Sequence, residues 1–249
     1  MSRTRVLALS TAAALSIAFS ITAAAQQGER RGSGGNAPAP DDYAGFQRIF
    51  DGKTLSGWEG DPKWWKVEDG AITGQTTAGN PLDRNTFIIW RGGTTKDFEL
   101  KIDFKMVGGN SGVQYRSTLL SDVGPYVLKG YQADFDAANR YTGQLYEERG
   151  RGFLAMRGAS TRIEGPGKVK LLGSVGDPDA LAGYVKLEDW NSLHIIARGN
   201  MIVHILNGHV MCTAVDDDPE GRAMDGLLGL QLHTGQPMKV QFRNIYLRQ

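Results

Sequence analysis

Residues 97–107 alternate without interruption. Phe98, Leu100, Ile102, Phe104 and Met106 fall on one side, and Glu99, Lys101, Asp103 and Lys105 on the other. Period-2 alternation is the mark of a strand with one buried face. Shorter runs of the same kind predict strands near 63–68, 71–74, 86–90, 112–117, 126–135, 144–147 and 192–198, then near 201–206, 209–215, 227–233 and 238–247. Gly199-Asn200 and Asn207-Gly208 separate three of these, and Asn-Gly favours the positive φ angles of a tight hairpin. The helical candidate is a short piece at 177–182, which reads equally well as a loop. Many strands, frequent turns and no βαβ rhythm predict an all-β fold, a single antiparallel β-sandwich over residues 43–249.

The same alternation sorts the polar residues. Gln114 and Arg116 fall opposite Val113 and Tyr115; Gln132 and Asp134 fall opposite Tyr131, Ala133 and Phe135; Gln231 and His233 fall opposite Leu228, Leu230 and Leu232. Three strands thus each present a polar pair on the face away from their apolar set. Amide, guanidinium, carboxylate and imidazole groups offer directed donors and acceptors suited to a polyhydroxylated ligand. A face that simply meets water carries Lys, Glu and Thr instead. If the three strands are neighbours, the six side chains form one floor.

Composition narrows the function. Lys and Arg number 28 and Asp and Glu 27, a balance without the concentrated basic face that nucleic acid requires. Glycine, at 33 of 249 residues, is close to twice its usual ~7% share, which favours turns over helices. Arg3 and Arg5, an apolar stretch from Val6 to Ile21 and Ala23-Ala24-Ala25 follow the order of a secretory signal over residues 1–25, cleaved near Ala25. The stretch is short for the ~20 apolar residues of a membrane span. Residues 26–42 read as a flexible Gly/Pro/Ser-rich linker, so the mature chain is expected in the periplasm or outside the cell, with no membrane span. Cys212, the single cysteine, cannot form an internal disulfide and sits in an apolar run as a small core residue.

Ordered motifs then carry a resemblance. They are FDGKTLSGW from Phe50 to Trp58, WKVEDG from Trp65 to Gly70, DFEL from Asp97, GNSGVQYR from Gly109 to Arg116, GYQAD from Gly130 to Asp134 and TGQLYE from Thr142 to Glu147. Trp190-Asn191, Asn207-Gly208, GLQLH from Gly229 to His233 and FRNI from Phe242 follow. In this order, over roughly residues 46–248, the chain resembles the 3-keto-disaccharide hydrolase domain family. The resemblance implies a concanavalin-like β-jelly roll and an exported enzyme acting on glycosides whose sugar carries a ketone at carbon 3. The glycine- and charge-rich loop 148–152 and the insert-like stretch 158–185 depart from the pattern and bear on substrate identity.

A ketone at carbon 3 acidifies the proton on carbon 2. A base that removes it generates an enolate, which expels the group on carbon 1, and water then adds to the alkene. Such a site needs a base near carbon 2, a donor or cation at the ketone oxygen and an acid near the leaving oxygen. His233 or Glu147 is the expected base and Arg116 the enolate stabiliser. Asp134 is expected to orient His233 or bind hydroxyls, with Asn110, Gln114, Gln132, Tyr146 and Gln231 positioning the sugar. No cofactor is predicted; a divalent ion assisting the enolate stays open, as does the oligomeric state. His194, His204 and His209 lack zinc-ligand spacing, and the run Asp216 to Glu220 lacks the spaced ligands of a calcium loop. The competing reading is a non-catalytic, lectin-like carbohydrate-binding module, for which Arg116, Asp134, Glu147 and His233 have no reason to converge. An adhesion or scaffold domain is the third reading.

Overall fold

The structure, a computed structural model, describes residues 42–249. The signal and linker read from residues 1–41 lie outside the described residues. In chain order the strands are β1 (Gln47–Arg48), β2 (Trp58–Glu59), β3 (Trp65–Glu68), β4 (Ala71–Gln75), β5 (Thr86–Trp90), β6 (Phe98–Val107), β7 (Asn110–Leu119), β8 (Leu128–Asp136) and β9 (Gln144–Glu148). There follow β10 (Gly152–Ala155), β11 (Ala159–Ile163), β12 (Val169–Ser174), a helix α1 (Pro178–Ala182), β13 (Asn191–Arg198), β14 (Met201–Leu206), β15 (His209–Asp216), β16 (Leu227–Leu232) and β17 (Lys239–Arg248).

They form the expected sandwich. One sheet runs β12-β11-β15-β14-β13-β6-β17-β4-β3, with β1 also on β17; the other runs β10-β9-β8-β7-β16-β5-β2. The β11–β15 pair is parallel, where pure antiparallel pairing was expected. A parallel pair needs a long crossover, and the chain supplies one by running through β12, α1, β13 and β14 before returning. Within the stretch expected to be an insert, β11 and β12 extend the first sheet at its edge. All six residues of β12 are exposed, so no buried periodicity marks it in the sequence. Asp177 caps α1 by accepting from the backbone N–H groups of Asp179 and Ala180, which ends the ambiguity between helix and loop there.

The core lies between the sheets. The five apolar residues of β6 are buried and their charged alternates half-buried. Each buried large apolar side chain contributes about 1.5–3 kcal/mol. From the facing sheet, the Phe135 ring stacks on Phe104 at 3.9 Å and Tyr115 packs edge-on against Phe98 at 5.5 Å. Tyr115 also hydrogen-bonds His204 across the core (2.7 Å). This pins the parity of β7 and β8: Tyr115, Tyr131, Ala133 and Phe135 point inward, so Gln132 and Asp134 point to the opposite face of the sheet. That face is covered too, because Gln114, Gln132, Asp134 and Gln231 are all buried. Part of the cover is an apolar cluster of Phe87, Ile89 and Leu128 with Leu119, Tyr126 and Leu227 packed on it. Leu128 can lie flat over β16 because Gly229 has no side chain; a Cβ there would sit 2.5 Å from Leu128 Cδ1.

Candidate active site

The strands β8, β7 and β16 are consecutive neighbours, which is the condition for one polar floor. Gln114 lies directly opposite Gln132 and donates from Nε2 to Gln132 Oε1 (3.3 Å), while Ser117 Oγ donates to Gln114 Oε1 (3.1 Å). Gln132 Nε2 in turn donates to Asp134 Oδ1 (2.9 Å) and, at 3.4 Å, to Gln231 Oε1. The three glutamines are thus a buried amide chain ending on a carboxyl group. Gly112 makes room for it, since a Cβ at that position would fall 2.4 Å from Gln132 Cγ.

Above the end of this chain is a cavity of about 270 Å³. Asn110, Gln132 and Asp134 form its floor, and Glu148 and His233 face it from the sides. Tyr141, Tyr146 and Phe153 make an aromatic wall, with Phe153 stacked near Tyr141 at 5.8 Å and tilted against Tyr146 at 5.0 Å. Asp134 Oδ1 accepts from Gln132 and from Asn110 Nδ2 (3.3 Å). Burial nevertheless dominates and raises its carboxyl from the ordinary value of 3.8 to about 7, with Asp136 and Glu148 adding like-charge repulsion. A carboxyl group near 7 exchanges a proton at neutral pH. His233 Nδ1 donates to the carbonyl of Thr234 (2.5 Å), so in the neutral form of the ring the lone pair is on Nε2. Asp134 does not orient this imidazole as expected; the backbone does.

Of the residues expected at the site, Asn110, Gln132, Asp134, Tyr146 and His233 line the cavity, and Gln114 and Gln231 underlie it. Two stand elsewhere. Arg116 has φ +48° at a bulge where the β7–β8 register shifts between Tyr115 and Thr118. An extra residue in the strand reverses the parity beyond it, and the Arg116 side chain leaves the polar face. Its guanidinium is buried, donating to the carbonyls of Lys96 and Gly199 (both 2.7 Å) and to Asp97. Glu147 lies opposite Tyr131 and therefore points into the core. There it holds Arg151 (2.6 Å), whose guanidinium also binds Asp216 (2.7 Å) and Asp218 (3.1 Å), while Tyr131 Oη donates to Asp216. The run after Asp216 is thus tied to an arginine. Both Arg116 and Glu147 are structural in this arrangement.

The carboxylate that does face the cavity from β9 is Glu148, one residue on. Tyr146 lies opposite Gln132 and Glu148 opposite Gly130, so both share the face of Gln132. That parity was available from the sequence once Tyr146 was placed against the sugar. Glu148 Oε1 accepts from Asn85 Nδ2 (3.0 Å), and Asn85 Oδ1 accepts from the backbone N–H of Thr234 (3.0 Å). Asn85 thereby joins β5, β9 and the residue after His233. No pattern in the sequence marks it, because its partners are distant along the chain. Tyr141 and Phe153 also escaped the sequence reading, lying on a turn and a short strand. Among the described residues no group of three or more His, Cys, Asp or Glu is arranged to hold a metal ion, and no helix is long and apolar enough to cross a membrane.

Comparison with known proteins places these features. The chain is 38% identical over 85 residues to a 3-keto-disaccharide hydrolase of Bacteroides thetaiotaomicron, a match spanning 30% of this chain and 29% of that protein. Its fold is similar to that of a candidate glycosyl hydrolase from Parabacteroides distasonis, with a TM-score of 0.54 at 22% identity over 82% of this chain and 98% of that one. It is also similar to a carbohydrate-binding module, CBM66, of Bacillus subtilis, with a TM-score of 0.50 at 16% identity over 78% and 96% of the two chains. The family model matches residues 45–248, and the chain accordingly belongs to the 3-keto-alpha-glucoside-1,2-lyase-like domain family.

Proposed function

We propose that the protein cleaves the glycosidic bond of 3-keto-glycosides by elimination and hydration. The observation that carries this reading is the convergence of His233, Asp134 and Glu148 on one aromatic-walled cavity. His233 Nε2 takes the proton from carbon 2. The electron pair of that C–H bond is held first as the enolate and then forms the C1–C2 double bond as the C1–O bond breaks. Asp134, with its carboxyl raised to about 7 and so about half protonated at neutral pH, donates in its protonated form at the developing oxyanion or leaving oxygen. Glu148 lies on the same cavity for the hydration half, in which water adds its hydroxyl to carbon 1 and a proton returns to carbon 2. Tyr146 and Phe153 pack on the sugar ring. The mature chain acts after export, released from its signal near Ala25.

The test is incubation of the purified chain with an oxidised and an unoxidised disaccharide, with and without chelator. Selective cleavage of the oxidised substrate is expected, with a loss of at least ~10²-fold in His233→Ala and in Asp134→Asn, the range for a lost acid–base group. Binding of sugars without any cleavage would leave a lectin-like module in place of the enzyme. Full activity in His233→Ala would refute its role as base.

A further inference from the structure

The structure has a second cavity, of about 310 Å³. It lies between the turn at 61–64, the loop leading into β5 and the connection from β7 to β8. An apolar wall of Trp64, Leu82 and Tyr126 faces a polar rim of Asp61, Asp83 and Arg84. Cross-ties preform it: Arg84 Nη1 donates to the Val123 carbonyl (2.6 Å) and Asn80 Nδ2 to the Lys63 carbonyl (3.3 Å). Trp64 Nε1 is shielded from solvent and has no hydrogen-bond partner among the described residues.

Asn85 connects the two cavities. It lines the second one, while its amide is hydrogen-bonded to Glu148, which lines the first. The side chains of Asn85 and Glu148 thus link the linings of the two cavities. An apolar ring face opposed by directed donors and acceptors matches a pyranose, whose C–H faces are apolar and whose edge carries hydroxyls. The volume suits a small-molecule unit at the lower end of ligand sites, about 300 Å³. Arg84 uses one of its five N–H donors on Val123, leaving others for hydroxyls.

We propose that this second cavity is the subsite for the leaving saccharide, so that a disaccharide spans the Asn85–Glu148 contact with one ring on each side. This rests on the catalytic reading above. The subsite makes the protein selective for a sugar leaving group over a small alcohol.

The experiment compares kcat/KM for a 3-keto-disaccharide with that for the matching methyl 3-keto-glycoside, in the unaltered protein, Trp64→Ala and Arg84→Ala. The unaltered protein favours the disaccharide, and the ratio of the two constants falls about tenfold in Trp64→Ala, as expected for a lost aromatic contact. Arg84 is exposed, so Arg84→Ala retains the fold if Trp64→Ala does not, and the same ratio falls in it. Cleavage of both substrates with an unaltered ratio in the folded variants overturns the subsite alone. Cleavage of neither by the unaltered protein overturns the catalytic reading, and the subsite with it.

Discussion

Asp134→Asn separates the stability of the site from its chemistry. Asp134 is 6% exposed, and its carboxyl is raised from 3.8 to about 7 by burial first of all. Between those values the folded chain binds a proton that the unfolded chain has released, so stability falls as pH rises through this window. Below about pH 4 both states are protonated and nothing is lost; above about 7 the whole penalty applies. A rise of about three pH units at about 1.4 kcal/mol each corresponds to about 4 kcal/mol. Asparagine keeps an Oδ1 to accept from Gln132 and Asn110 and carries no charge to bury. Asp134→Asn is therefore expected to be more stable than the unaltered chain at pH 8 by up to about 4 kcal/mol, and equal to it near pH 4. Urea titration at pH 4.5, 6 and 8 measures this; with slopes of about 1–3 kcal/mol per M, the midpoint at pH 8 moves up by more than about 1 M. With Asp134 as the acid of the proposed reaction, kcat/KM of the unaltered protein is expected to fall as pH rises through about 7. A stability difference that does not change with pH, or a variant weaker at pH 8, would refute the buried-carboxyl argument.

Other substitutions probe the framework. Arg151→Met leaves Glu147 and Asp216, both at least nine-tenths buried, without their cation and costs about 3–5 kcal/mol in a urea titration; Glu147→Gln destabilises less and leaves kcat little changed in the folded fraction. Gly112→Ala drives a methyl into Gln132 and costs about 1–3 kcal/mol by overpacking, with kcat falling alongside because the Gln132–Asp134 bond is displaced; a variant with full activity and an unaltered melting temperature refutes this. The Cys212 thiol is pushed up to about 12 by complete burial, so its alkylation at pH 8 proceeds only through unfolding and accelerates with urea in step with the loss of structure. A rate independent of urea contradicts that burial.

What the sequence discloses depends on how far each signal reaches. The alternation of β6 is complete within eleven residues and is borne out position by position. The pairing of Gln132 with Asp134 on one face follows from the same local rule, whereas the adjacency of β8, β7 and β16 that joins them into one floor is a long-range property that no local pattern carries. Arg116 fails because nothing in its own or adjacent side chains announces a positive φ at a non-glycine residue; the bulge is set by pairing with β8. Glu147 fails differently. Its register opposite Tyr131 turns it into the core, and the period-2 rule that puts Tyr146 on the cavity assigns the cleft to Glu148. The glycines of β7, β8 and β16 serve packing within the sheet, not turns. Gly112, Gly130 and Gly229 admit the side chains of Gln132, Ser117 and Leu128.

The position of β17 also bears on how the molecule comes into being. It lies between β6 and β4 in the larger sheet, so a growing chain that stops before Lys239 holds two half-sheets with facing open edges. Asn85, for its part, waits for Glu148 63 residues later and Thr234 149 residues later. Contacts of such long range form late and slowly, and unpaired edges invite association with other chains. Closure of the larger sheet therefore waits for β17, and the long-range contacts of Asn85 beside the candidate site assemble late.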